Sequence, residues 1–374
     1  MKRIFVFLSV LAALVASLGV MTALAQDIVE EVAFDPSIGE MPEGLAVDAD
    51  GNVYFGLAPI GEIRMMSSAG DVTSFAKLPT PPAGAFGALG LEFNDAGELF
   101  VGMHSGDSET NGIWKITADG SQTELFASLD ATGVPNVLDF HSDGSLFVSN
   151  TTGGSIWKIA TDGTAEVWSS DPLLAGLDPP GPVGIPIGPN GVLFDADESN
   201  LYVAVTDMNR VVKIPVTADG SAGAAEVFAE DAATLGGPDG MDWGPDGDLY
   251  VALVGTDTLS KVAPDGTITL IHSGAPLMNP SDVEFGTGAD ANKLYIANFA
   301  IFRALGLAPG DPTPGILSLD TTPPAPPATG DPIVSMLGGI GLVVGFTLLT
   351  GGGALVYVTR RKNTGCYRRD NLSS

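Results

Sequence analysis

The chain has 374 residues, with 45 Asp and Glu against 16 Lys and Arg and a formal net charge of −29. Such a field repels nucleic-acid backbones and anionic membrane surfaces and favours cations. A single cysteine, Cys366, leaves everything before it without a disulfide framework or thiol catalysis.

The first 25 residues have the order of a secretory signal peptide: Lys2-Arg3, an apolar run from Ile4 to Leu24, and a small-residue end at Ala23-Leu24-Ala25. An uncleaved membrane anchor is the alternative. From Gln26 to Asp331 the chain holds nine basic against forty-four acidic residues.

Residues 26–320 are built on a unit that recurs six times. Each unit has a short apolar stretch, a turn rich in Asp and Gly, and an aliphatic-aromatic-aliphatic triplet. The triplets are Val53-Tyr54-Phe55, Leu99-Phe100-Val101, Leu146-Phe147-Val148, Leu201-Tyr202-Val203, Leu249-Tyr250-Val251 and Leu294-Tyr295-Ile296. A period of roughly 45 to 55 residues is that of a four-stranded propeller blade, so the expected fold is an all-β, six-bladed propeller. Turns such as Asp50-Gly51-Asn52, Asp143-Gly144-Ser145 and Asp246-Gly247-Asp248 tolerate positive φ and join the first two strands. The sixth unit stops after its third strand, Gly315 to Leu319. The strand-like segment Asp27 to Ala33 has no unit of its own, so it is expected to supply the missing outer strand and close the ring. An apolar insertion in that blade, Phe299 to Leu307, reads as a lid or a packed loop.

After the repeats comes a Pro-rich linker over 321–332, then an uncharged span over 333–358 long enough to cross a bilayer. The basic tail over 359–374 begins with Arg360-Arg361-Lys362, which places it in the cytoplasm and the repeats outside. Pro327-Ala328-Thr329-Gly330-Asp331 resembles a sortase sorting signal, with Pro326 where that motif has Leu. The expected location is the extracellular face of the membrane or cell wall, as a monomeric ectodomain.

Alignment of the six inner strands isolates one position, four residues before the apolar residue read as inward-facing (Val47, Phe93, Phe140, Phe194, Trp243, Phe285). It holds Glu43, Leu89, Asn136, Asn190, Asp239 and Ser281. Five of these six are polar, and inner strands line a propeller's axis. Two carboxylates and two amides meeting there make an oxygen-rich cage suited to a hard divalent cation.

The stretches Pro189-Asn190-Gly191-Val192-Leu193-Phe194 and Pro238-Asp239-Gly240-Met241 carry a resemblance. Over roughly residues 40 to 300 the chain resembles the senescence-marker-protein/gluconolactonase (regucalcin-like) family of six-bladed propellers. The resemblance implies that Glu43, Asn190 and Asp239 hold a divalent metal, Ca²⁺ foremost, with Zn²⁺, Mn²⁺ or Mg²⁺ as alternatives. It implies that Asn136 contacts substrate and that the chemistry is hydrolysis of a small-molecule lactone or ester. Asp239 would then be both ligand and catalytic base. Val134 stands where the family has Arg and Val137 where it has Asp, which separates the substrate preference from that of sugar-lactone enzymes. The competing reading is a non-catalytic surface propeller that binds a ligand or protein partner.

Other side chains carry weaker signals. His104, His141 and His272 fall at dissimilar places in their units. Asp48-Ala49-Asp50-Gly51-Asn52 begins like a calcium loop but lacks its later Glu, so it reads as a turn. The four Trp read as blade packing, and Asn150-Thr151-Thr152 as a glycosylation sequon.

Overall fold

The computed structural model describes residues 27–322. The segment over 1–25 read as a signal peptide, the span over 333–358 read as a membrane crossing, the basic tail with Cys366 and the linker beyond Thr322 lie outside the described residues. Among those described, no helix is long and apolar enough to cross a membrane.

The described strands form six four-stranded antiparallel sheets. Their inner strands are Pro42–Val47, Leu91–Phe93, Pro135–Phe140, Pro189–Phe194, Pro238–Trp243 and Pro280–Phe285. Each touches the inner strand of the next blade, and the sixth returns to the first. In the sixth sheet the fourth place is taken by Val29–Ala33, antiparallel to Gly315–Asp320, with Val29 opposite Ser318 and Ala33 opposite Gly315. The ring is closed by its own N-terminal strand, as expected.

The repeated triplet has a packing explanation. Its aromatic residue stands edge-on to the last aromatic residue of the next blade's inner strand. Tyr54 meets Phe93 with ring centroids 4.9 Å apart, and Phe100 meets Phe140 at 5.0 Å. Phe147–Phe194, Tyr202–Trp243 and Tyr250–Phe285 repeat this at 4.9, 5.1 and 5.0 Å. At the sixth interface Tyr295 packs in a cluster that includes Leu45 and Val47. Each edge-to-face pair contributes about 0.5–1.5 kcal/mol beyond area burial.

This packing corrects one expectation. Val47, Phe93, Phe140, Phe194, Trp243 and Phe285 lie between blades and do not point at the axis. The cause is a β-bulge. The ladder slips between Pro42 and Leu45, Pro135 and Leu138, Pro189 and Val192, Pro238 and Met241, and Pro280 and Asp282. One extra residue inverts the alternation, so side chains three apart, not four, share the axial face. The residues three beyond the candidate-site position include Glu92, Asp139, Asp242 and Glu284.

These acids form a second tier in the ring, and they join blades. Asp139 accepts from the Phe194 amide of the next blade at 2.7 Å, and Asp242 from the Phe285 amide at 2.7 Å. Asp282 accepts from Leu45 N at 2.8 Å and so ties blade 6 to blade 1. Burial pushes Asp139 and Asp282 up to about 7 and Asp242 to about 6, against the pull of those backbone donors. Glu92 and Glu284 are raised well above the usual carboxylate range by burial and by neighbouring Asp charges.

The glycine after the site residue has a steric reason. A Cβ on Gly191 would lie 2.2 Å from Asp239 O, and one on Gly240 would lie 1.9 Å from an Asp282 oxygen. Adjacent inner strands approach too closely for any side chain there. Gly191→Ala is therefore expected to lower stability by roughly 1–3 kcal/mol. Gly181→Ala, whose Cβ would meet nothing nearer than 3.9 Å, is expected to leave the melting temperature unchanged. Equal melting temperatures for the two variants would contradict the close-approach account.

A pH dependence follows from the second tier. Its carboxyls bind protons more tightly in the folded chain than in the unfolded one, where they titrate near 4. The stability this contributes is fully present below that value and is lost as pH rises through about 6 to 7. In chelator, Tm is expected to fall between about pH 5 and pH 8, and Asp139→Asn with Asp242→Asn to flatten the fall. A Tm that rises over that interval would overturn the assignment.

Candidate functional site

Proline precedes the site residue in five blades: Pro42, Pro135, Pro189, Pro238 and Pro280. Proline supplies no N–H to a ladder and is tolerated where pairing is interrupted, which is where the bulges lie. The bulge then turns Glu43, Asn136, Asn190, Asp239 and Ser281 inward. All five are buried, Glu43 and Asp239 at 5% and 4% exposure. In blade 2 the equivalent Leu89 is apolar and belongs to a hydrophobic cluster instead.

Two of the five polar side chains are hydrogen-bonded to each other, and two carboxyls lie near them. Asn136 Nδ2 donates to Asn190 Oδ1 across blades 3 and 4. Asn190 Nδ2 donates to Thr206 Oγ1 at 3.1 Å, and that hydroxyl donates to Pro238 O at 2.7 Å. Thr206 thereby connects Asn190 to the residue before Asp239. Glu43 is within electrostatic reach of Asp239 and Asp282; burial first, and these two charges next, raise it well above the usual carboxylate range. Asp239 is raised by burial and by Asp282, with Asn190 pulling the other way. Ser281 stands apart: its hydroxyl donates to Glu43 O at 2.7 Å and serves the blade 6 to blade 1 junction.

Three buried oxygens of this group, Glu43 Oε2, Asn136 Oδ1 and Asp239 Oδ1, have no hydrogen-bond partner. An unsatisfied buried polar group costs about 1–3 kcal/mol, and more when charged. All three are acceptors, so what is wanting is a positive or proton-bearing partner. A hard divalent cation with oxygen ligands fits that donor set. Among the described residues no group of three or more His, Cys, Asp or Glu is gathered as a metal site. An ion here would therefore rest on two carboxylates and amide oxygens. The free amide oxygen belongs to Asn136, while that of Asn190 already accepts a hydrogen bond and keeps one lone pair.

An apolar cluster covers this end of the ring. Met41, Ala58, Leu89, Val134, Val254, Phe299 and Ile301 bury one another, with Phe86 and Phe302 against them. Met41 lies two residues before Glu43 and Val134 two before Asn136. The insertion expected as a lid or packed loop is thus a plug over the site end, with a single helical turn at Ile301–Ala304. Arg303 fixes it through both Asp257 oxygens at 3.2 and 2.6 Å, and Phe302 N donates to Asn279 Oδ1 at 3.1 Å.

The weaker candidates have structural roles. Asp48 accepts from Asp50 N, Asn52 N and Asn52 Nδ2, so its carboxylate is engaged in the turn. Asn150 is buried and bonded to Ser155 and Gly153, which closes the sequon in the folded chain. The rings of Trp168 and Trp243 pack on Phe147 and Tyr202. His104 pairs with Phe86 at the plug's margin, and its Nδ1 is buried without a partner. Sequence reasoning missed Thr206, the hydroxyl that links Asn190 to Pro238, because it lies in a turn after the second strand.

Comparison with known proteins agrees with this architecture. Residues 183–299 match the family described as SMP-30/Gluconolactonase/LRE-like region, a stretch that holds Asn190 and Asp239. Residues 32–61, which hold Glu43, match the N-terminal region of strictosidine synthase-like proteins. No curated protein matches the chain. Among solved structures, a calcium-binding regucalcin from Agrobacterium tumefaciens is 20% identical over 79% of this chain and 93% of its own, with a TM-score of 0.57. A gluconolactonase from Xanthomonas campestris is 19% identical over 80% and 92%, also at 0.57. Virginiamycin B lyase from Staphylococcus aureus is 19% identical over 73% and 82%, at 0.51. At these identities the structures establish a shared fold. From its repeats and its ring of inner strands the chain is a six-bladed propeller, and its residues 183–299 are similar to the SMP-30/gluconolactonase/LRE-like family.

Proposed function

We propose that this protein is a metal-dependent hydrolase of lactones or related esters, exported and held at the cell surface. The observation that carries the proposal is the trio of buried, unpartnered oxygens on Glu43, Asn136 and Asp239. The location rests on the sequence of the two ends: the signal peptide, and the apolar span that either stays in the membrane or is exchanged for the cell wall by a sortase.

Glu43, Asn190 and Asp239 are the residues to hold the ion, Ca²⁺ foremost. A divalent cation bound there would polarise the substrate carbonyl and offset the charge of the two carboxylates. Asp239 Oδ1, the carboxylate oxygen without a hydrogen-bond partner, is the candidate base. It takes a proton from the attacking water through Oδ1 while the water oxygen bonds to the acyl carbon. The ring C–O bond then breaks, and the proton passes to the departing alkoxide oxygen to give a hydroxy acid. Thr206, bonded to Asn190 and to Pro238, holds the backbone beside Asp239 in place during this exchange. Asn136, with a free Oδ1, is the contact for a substrate donor.

The apolar plug over the site end favours a second reading, a non-catalytic surface propeller that binds a ligand or partner protein. Substitution at Asp239 separates the two. Asp239→Asn is expected to lower kcat/KM for lactone hydrolysis by about 10²–10⁴-fold. Glu43→Gln is expected to raise the Ca²⁺ concentration needed for half-maximal rate. Failure of the purified chain to hydrolyse any lactone or ester in Ca²⁺, Mn²⁺ or Zn²⁺ would leave only the binding reading.

A further inference from the structure

Beside the plug lies a cleft of about 310 Å³ next to the candidate site. Thr206 and Gly237 are in its lining; the first hydrogen-bonds Asn190, and the second adjoins Pro238 and Asp239. Val254 and Phe302 belong both to this lining and to the plug cluster. The cleft therefore adjoins the site through Thr206 and Gly237, between the plug and blades 4 and 5.

Its polar side chains are engaged with backbone. Asp207 Oδ2 accepts from Leu177 N at 3.0 Å and from Ile187 N at 2.7 Å, which anchors the segment before blade 4. Asn209 Oδ1 accepts from Gly237 N at 3.0 Å, and Thr256 Oγ1 donates to Gly236 O at 3.2 Å. What remains to meet a ligand is mostly apolar, with Val183, Ile187, Val254, Phe302 and Leu307 beside Asp207 Oδ1 and Asn209 Nδ2. The same two bordering segments carry exposed apolar side chains, Leu177 and Ile185 on one and Leu305 and Leu307 on the other. Apolar residues gathered at a rim mark a surface that receives an apolar ligand.

We infer that this cleft is the alkyl-chain specificity pocket and that the substrate is a lactone or ester bearing an alkyl chain, not a polyhydroxylated sugar lactone. The inference rests on the hydrolase reading for its chemistry, but binding tests it independently of turnover. Polyhydroxylated ligands need many free donors and acceptors, and the cleft offers only Asp207 Oδ1 and Asn209 Nδ2 beyond its engaged side-chain atoms. An alkyl chain needs only removal from water, worth roughly a three- to four-fold gain in affinity for each methylene buried.

The test is calorimetric binding of 4-alkyl-γ-butyrolactones, from methyl to hexyl, alongside glucono-δ-lactone, to the Ca²⁺-loaded chain, with hydrolysis followed in parallel. Affinity is expected to rise by that factor per methylene until the cleft is filled. Leu307→Asp, at an exposed position, is expected to flatten the series at unchanged Tm; Val183→Asp is a second variant with the same expectation. Affinity independent of chain length, or a preference for glucono-δ-lactone, overturns the inference. Chain-length-dependent binding without any turnover supports it and removes only the hydrolase reading.

Discussion

Six inner strands packed side by side around one axis leave little room for side chains and many backbone amides facing the neighbouring blade. That crowding is the constraint on which the rest depends. It is relieved in two ways. Glycine after the site residue lets strands approach, so that a Cβ at Gly240 would collide with Asp282. Carboxylates and hydroxyls then cross the gap: Asp139 to Phe194, Asp242 to Phe285, Asp282 to Leu45, Ser281 to Glu43. The hub is thus held by polar contacts inside a ring of aromatic pairs.

The same devices concentrate negative charge where water is scarce. Asp139, Asp242 and Asp282 have backbone donors to hold them, whereas Glu43 and Asp239 each keep an oxygen with none. The two tiers therefore differ in kind. The lower tier is structural and relieves its charge by hydrogen bonding and protonation. The upper one lies under an apolar plug, and its charge calls for a cation. A site that is costly when empty is one where an ion couples binding to stability.

Much of this was legible in the residues. The triplets gave the blade count because each aromatic ring is needed at an interface, and the truncated sixth unit pointed to Val29–Ala33 as the closing strand. The site position was legible because a polar residue recurred where burial was expected. The face of the strand was not. Simple alternation put Phe140 and Trp243 on the axis, while the bulge after each proline carries Asp139 and Asp242 there. Proline before Glu43, Asn136, Asn190, Asp239 and Ser281 was the available signal, since a strand interior disfavours it. Thr206 and the cleft beneath Phe302 had no such mark; they arise where loops of separate blades meet, and local pattern carries no record of that.

The most direct test of the site is anomalous diffraction from crystals of the chelator-stripped chain soaked in Mn²⁺. The account predicts a single peak among Glu43, Asp239 and the Asn136–Asn190 pair, lost in Glu43→Gln. An axis without anomalous density, or an ion bound only at surface aspartates, would contradict it.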